Sequence, residues 1–158
     1  MGVFTGRYTG RPEKPVVLFL IGMRINRFWD FRRWMHVSAA MPRMLKELES
    51  KPGSGLLWQR TYFSPPVTLS QQYWESFDKL LTYAHDKNGE HFPAWADFLK
   101  RVGYADGAVG IWHETYLIEP GKTENIYGNM PLFGLAAATT HVKAEGRLME
   151  AKDRFSAT

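Results

Sequence analysis

A histidine and a glutamate stand side by side at positions 113 and 114, within the run VGIWHETY. Histidine changes charge near neutral pH, so such a pair could move a proton during catalysis. Adjacent side chains on a β-strand point to opposite faces of the sheet, however. His113 and Glu114 can therefore serve one pocket only if this run is not a strand.

A second histidine, His91, stands two residues before Pro93, where a helix is predicted to start. Backbone N–H groups at a helix start lack intrahelical partners. His91 could therefore cap the helix, shuttle a proton or bind iron. A non-haem iron site would need two histidines and a carboxylate that converge. If residues 109–118 form a strand, Glu114 points away from the face that carries His113, and there is no convincing third ligand. No metal site is therefore expected.

Hydrophobic periodicity predicts the elements that position these residues. In chain order they are a buried strand at 16–25, a helix with its apolar face from Trp34 to Leu48, a hairpin of strands at 56–63 and 67–74, a helix capped by Ser76, a further helix from Pro93 to Gly103, and a strand at 109–118. Asp30 is a candidate N-cap of the first helix, and Pro42 should kink or break that helix.

The order β-α-β-β-α-β predicts a ferredoxin-like α+β fold, with a four-stranded antiparallel sheet and helices on one face. In the last strand the odd positions are small or aliphatic and the even ones bulky, so His113 should face the helices and Glu114 should face away. The two are therefore not a catalytic dyad. A second subunit is expected to cover the other face, through Trp112 and Tyr116, giving a homodimer.

Five further residues are candidates for binding a substrate, because they lie on elements that bound the helix–sheet space. They are Trp58, Arg60, Tyr73, Trp74 and Trp95. Which of them face that space depends on one residue of strand register. Arg60 could hold an anionic oxygen, or it could pair with a nearby glutamate. His113 and His91 are the candidate catalytic residues, although a buried histidine bonded to a backbone carbonyl would serve no catalytic purpose.

Composition excludes several other classes of function. The absence of cysteine rules out disulfides, thiolate nucleophiles and Cys-ligated metals. No G-x-G-x-x-G motif follows a strand, which argues against a flavin or nicotinamide site. The net charge of +4 is spread without basic blocks, so no nucleic-acid partner is expected. The apolar run at 16–23 is too short to span a membrane and is followed by arginines, which favours a cytoplasmic protein.

The chain is expected to form one domain at 15–140. Residues 1–14, which contain glycine, threonine and proline, should form an irregular arm. Residues 141–158 should form a charged tail that can fray.

Several motifs resemble the dimeric α/β-barrel (antibiotic-biosynthesis-type) monooxygenase superfamily, and within it the subfamily typified by the fumagillin-pathway monooxygenase. They are FLIGMRINRFW (19–29), SGLLWQR (54–60), QYWESFDKLLTYAHD (72–86), HFPAW (91–95), VGIWHETY (109–116) and NMPLFGLAAAT (129–139). GIWHETY and the NMPLFGL run are the most specific to the subfamily. The chain is longer than the basic module of the superfamily, and its arm and tail have no role that the residues reveal.

The resemblance implies oxygen insertion into a small hydrophobic molecule, often in secondary metabolism. Cofactor-free members act on substrates that donate electrons themselves, such as phenols and enolisable ketones. Another branch binds haem between helix and sheet, through a histidine at about the place of His91. Three functions stay open: a cofactor-free monooxygenase, a haem oxygenase or dehydratase with His91 or His113 as iron ligand, and a non-catalytic small-ligand-binding dimer.

Overall fold

The computed structural model describes residues 2–89, 91–105 and 107–156, and the side chains of all of these except Arg101 and Ser156. The strands are β1 (Phe4–Arg11), β2 (Val16–Ile25), β3 (Leu56–Ser64), β4 (Val67–Trp74), β5 (Val109–Ile118), β6 (Tyr127–Met130) and β7 (Thr140–Lys143). The helices are α1 (Phe31–Ser50), α2 (Phe77–His85), α3 (His91–Arg101), α4 (Gly134–Ala138) and α5 (Ala151–Ser156), with a 3-10 turn at Gly146–Met149 before α5.

The main sheet has the strand order β3-β4-β2-β5, and every neighbouring pair is antiparallel. With α1 between β2 and β3, and α2 and α3 between β4 and β5, the connectivity is β-α-β-β-α-β. This confirms the predicted ferredoxin-like α+β fold.

The helices that connect these strands begin and end close to the predicted positions. Asp30 occupies the N-cap position of α1, but its carboxylate bonds no helix N–H and instead pairs with Arg33 at 3.1 Å. Ser76 caps α2 as predicted, by accepting a hydrogen bond from the backbone N–H of Lys79. α3 begins at His91, two residues before the predicted start at Pro93.

Pro42 lies inside α1 without ending it, so of the two predicted effects the break does not occur and the kink stays a prediction. The residues on either side of it explain why, because both halves of the helix are held by apolar packing. Trp34 and Val37 pack on one cluster over the sheet, and Leu48 belongs to another. Packing of this kind can outweigh the hydrogen bond that a proline removes.

Those two clusters make up the core between the helices and the main sheet. The first apolar cluster consists of Met23, Ile25, Phe98, Val102 and Val109. The second apolar cluster consists of Val17, Leu48, Trp74 and Leu80. Along β2 they lie at opposite ends of one face, and Phe19 and Ile21 between them are only partly buried. On β2 the middle of the helix-facing side is thus less covered than its two ends, whereas the neighbouring Ser70 and Gln72 of β4 are buried.

The predicted irregular arm at 1–14 is wrong for most of its length, because Phe4–Arg11 forms strand β1. β1 pairs with β6 on one side and β7 on the other to make a second, three-stranded sheet. The tail from 141 is likewise ordered to residue 156, through the end of β7, the 3-10 turn and α5. Arg154 is buried there and bonds Glu124 and the carbonyls of Leu148 and Met149.

The small sheet carries α4 against the main-sheet face that the helices leave open. Leu135 is buried with Val16 and Tyr73, and Leu18 and Trp58 pack around them. A Cβ atom on Gly10 would lie 2.6 Å from the backbone nitrogen of Ala136, so only glycine allows β1 to approach α4 this closely. Part of the face that was expected to need a second subunit is therefore covered by the chain itself.

Among the described residues, no helix combines the length and the apolar character that crossing a membrane requires.

Candidate functional site

Strand β5 divides VGIWHETY between two faces, as predicted. His113 is paired with Ile21 of β2, and its ring centroid lies 5.7 Å from that of Phe19, which packs against the second apolar cluster. Glu114 is on the opposite face, where it accepts a 2.6 Å hydrogen bond from the Tyr116 hydroxyl. His113 and Glu114 therefore cannot act on the same group.

His113 is nevertheless more open to solvent than the sequence indicated. β5 is an edge strand, and the helices cover it only near Val109 and Ile111. The side chain of His113 is exposed rather than enclosed in the interior. Its imidazole ring thus contacts solvent at the edge of the helix-facing side.

Strand β4 contributes a row of buried, hydrogen-bonded side chains to the same helix-facing side. The indole Nε1 of Trp74 donates to Oε1 of Gln72 at 3.0 Å, and Nε2 of Gln72 donates to the Ser70 hydroxyl at 3.2 Å. Trp74, Gln72 and Ser70 are 0%, 4% and 1% exposed. The orientation of each side chain in this row is fixed, because breaking its hydrogen bond would leave a buried polar group without a partner.

The register brings this row into line with His113 across the sheet. Ser70 on β4 is paired with Ile21 on β2, and Ile21 is paired with His113 on β5. These three residues form a central strip with polar side chains on both sides of an apolar one. The strip lies between the two apolar clusters. Ser70 at one end of it is buried, whereas Ile21 is partly buried and His113 is exposed, so the strip is open only toward β5, where an apolar side chain lies beside a histidine.

His91 lies at the start of α3 and borders the second apolar cluster from the helix side. Its Nδ1 is 2.9 Å from the carbonyl oxygen of Ala84, and its ring is 6.0 Å from that of Tyr83. Burial lowers the pKa of His91, so the ring is held neutral. A neutral ring whose Nδ1–H donates to Ala84 has its lone pair on Nε2. Through Tyr83, which contacts Trp74 at 5.8 Å, His91 adjoins the β4 row.

The five residues predicted to bind substrate are not brought together. Trp74 faces the helices, whereas Trp58, Arg60 and Tyr73 face away from them, since Tyr73 is paired with Leu18 and with Trp58. Trp95 is on α3, 37% exposed, and stacks on Phe98 at 5.5 Å. Of this set, only Trp74 belongs to the β4 row beside the central strip.

Trp58 and Arg60 instead form a groove on the opposite face of the sheet, together with Phe133. The Trp58 and Phe133 ring centroids are 5.1 Å apart at 64°, and the Arg60 guanidinium lies 5.4 Å from the Phe133 centroid. The groove is open to solvent and has a volume of about 460 Å³. We call it the Arg60 groove; its lining residues are Trp58, Gln59, Arg60, Thr61, Pro131, Leu132 and Phe133. The Tyr73 ring also contacts Trp58, with the ring centroids 6.0 Å apart. Burial raises the pKa of the Tyr73 phenol to about 12, which keeps it neutral.

Three residues of these two faces were not predicted from the sequence: Ser70, Gln72 and Phe133. The first two alternate with Trp74 at the period of a strand, which was a usable signal for a shared face. Phe133 belongs to a segment whose place in the fold nothing local revealed.

Across the described residues, no group of three histidine, aspartate or glutamate side chains lies close enough together to hold a metal ion.

Comparison with known proteins gives one family match. A family model described as monooxygenase af470-like matches residues 16–135. These residues span the whole main sheet and its helices and exclude β1 and β7. No curated protein sequence matches the chain significantly.

Solved structures with partial similarity include three from different organisms. SnoaB, a cofactor-independent oxygenase from Streptomyces nogalater, is 9% identical over 64% of this chain and 90% of its own, with a TM-score of 0.46. A conserved protein from Methanosarcina mazei Go1 is 7% identical over 64% and 91%, with a TM-score of 0.46. MupZ from Pseudomonas fluorescens is 14% identical over 66% and 69%, with a TM-score of 0.41.

Proposed function

Because the chain belongs to the monooxygenase af470-like family, we propose that it oxidises a small hydrophobic molecule between the helices and the main sheet. The observation that carries the proposed location is the central strip, where His113 and Ser70 flank Ile21 between the two apolar clusters. An apolar surface with few polar groups is typical of small-molecule sites. The resemblance to the fumagillin-pathway subfamily supports a role in secondary metabolism. The short apolar run at 16–23, followed by arginines, supports a location in the cytoplasm.

The reaction needs two electrons as well as molecular oxygen, and a suitable substrate supplies these two electrons itself. In an enolisable ketone, a base removes a proton from the activated methylene group, and the resulting enolate reduces molecular oxygen. Overall, the methylene group and one molecule of oxygen give a carbonyl group and one molecule of water, so the substrate loses two hydrogens and gains one oxygen atom. His113 is the proposed base, because its ring lies beside the apolar strip and reaches water on its other side.

Isotopically labelled oxygen tests this proposal directly. With oxygen-18 gas and a panel of phenols and enolisable ketones, the oxidised product should contain one labelled oxygen atom, with one molecule of oxygen consumed per product. Mass spectrometry and an oxygen electrode give the two measurements. If members of the panel bind but no oxygen is consumed, the protein is a non-catalytic ligand-binding protein.

A haem-dependent enzyme is a second candidate, favoured by the geometry of His91. The Nδ1–H of that ring is directed to the Ala84 carbonyl, which leaves Nε2 with the lone pair that iron would bind. Bound haem would supply an iron centre that activates oxygen, and His91 would hold it.

Titration with haemin separates the two candidates. If haem is the cofactor, the wild type should develop a saturable Soret band that His91→Ala loses, while Trp95→Ala on the same helix keeps it. A colourless wild type that is active without haemin, and that binds none, means that the cofactor-free route is used.

The homodimer is also part of this proposal. α4 covers the end of the open sheet face around Val16 and Tyr73, but Tyr116 near the β5 edge is 49% exposed, and Trp112 lies over Gly22 beside it. An aromatic surface of this kind is typical of a subunit contact. A second copy of the chain is proposed to pack there.

A further inference from the structure

We propose that the Arg60 groove is a second binding site, separate from the oxidation site, and that it takes a small planar carboxylate. The groove runs along the edge strand β3, where Trp58 and Arg60 project from the face of the main sheet that points away from the helices, whereas His113 and the β4 row lie on the other face. A molecule held by Trp58, Arg60 and Phe133 would therefore be separated by the sheet from a molecule beside His113.

The Arg60 side chain supplies the group that would bind the carboxylate. Arg60 is solvent-exposed, and in the described part of the chain its guanidinium contacts the Phe133 ring and pairs with no carboxylate. Contact with a ring face leaves the N–H groups at the edge of the guanidinium plane free to donate. That planar fork of donors matches the two oxygens of a carboxylate.

The walls of the groove suit a planar anion in both charge and shape. No acidic side chain is among the lining residues, so nothing in the groove competes with an incoming anion. Trp58, Leu132, Pro131 and Phe133 provide apolar walls, and the two rings meet nearly at right angles. Flat aromatic walls favour a flat ligand, and about 460 Å³ is enough for a bicyclic acid.

The groove is preformed. One wall, Trp58, is on strand β3 and packs against the buried Tyr73. The other, Phe133, is the residue before α4, whose Leu135 is 3% exposed and packs against the main sheet. Both walls are therefore fixed by the core, and binding need not order a loose segment.

Two ligands that differ only in charge test the proposal. 2-Naphthoate and 2-naphthamide have the same ring system, and calorimetric titration of the wild type should show naphthoate binding about tenfold or more tightly. Arg60→Gln should abolish this preference, and Arg60→Lys should retain part of it, because lysine keeps the charge without the fork. Phe133→Leu should weaken both ligands.

Two controls locate the binding. Arg32→Gln removes an exposed arginine from α1, on the helix side of the sheet, and should leave the naphthoate affinity unchanged. His113→Ala should also leave it unchanged, since His113 is on the other face. The proposal is overturned if the wild type binds no naphthoate at millimolar concentration, if it binds both ligands equally, or if Arg60→Gln and Arg32→Gln behave alike. Thermal unfolding of each variant verifies that it is folded.

Discussion

Turnover by the His113→Ala variant should fall by about 10²-fold or more relative to the wild type, the usual scale for losing a general acid or base. His113 is the one titratable side chain of the central strip, and it is held beside Phe19 next to the apolar surface proposed for the substrate. Steady-state kinetics should show the loss mainly in kcat, because the imidazole contributes to the proton transfer more than to binding.

The neighbouring residue provides a matched control for this experiment. Glu114→Gln changes the next side chain on β5, which lies on the opposite face and bonds Tyr116. Its effect should fall on dimer stability, with turnover nearly unchanged. If Glu114→Gln abolishes turnover while a folded His113→Ala dimer retains it, the reaction takes place on the other face and the proposed mechanism is wrong.

Replacing Trp74 with alanine should destabilise the protein by about 3–5 kcal/mol. Trp74 is 0% exposed and belongs to the second apolar cluster, so the substitution leaves a large cavity in the core. It also removes the donor to Gln72 Oε1, and the buried amide left without this partner places the expected loss toward the upper end of that range. Urea denaturation followed by far-UV circular dichroism measures the change in free energy of unfolding.

Trp95→Ala is the matched control for Trp74→Ala, since it removes the same side chain from a partly exposed position on α3. Its destabilisation should be much smaller, because the ring stacks on Phe98 but also contacts solvent. Equal losses in the two variants would mean that the second apolar cluster does not hold the helices on the sheet.

The helix-facing side of the sheet could be predicted because its signals are local. Alternation along β5 assigned His113 and Glu114 to opposite faces, and the register with β2 agrees. For β3 alternation alone was insufficient, because an irregularity between Leu56 and Trp58 shifts the register against β4. Such a bulge reverses which residues face the helices, and nothing in the sequence around Trp58 marks it.

The small sheet could not be predicted, for a different physical reason. β6 and β7 have four residues each, too few for a reliable period, and β1 finds its partners more than a hundred positions away. The stability of such short strands comes from tertiary packing rather than local preference. Gly10 is an example. A side chain there would collide with the backbone of α4, and the local sequence does not reveal that α4 lies beside it.

The small sheet also has a consequence for the order of folding. By joining Tyr8 to Lys143 and Arg11 to Thr140, it ties the two ends of the chain together and closes a loop that contains the entire main sheet. Closing so long a loop in an unfolded chain costs conformational entropy before any contact repays it. Once the main sheet has formed, its own strands bring the two ends near each other and most of that cost has been met. We therefore expect three parts of the molecule to form last during folding: the small sheet, α4 and the Phe133 wall of the Arg60 groove.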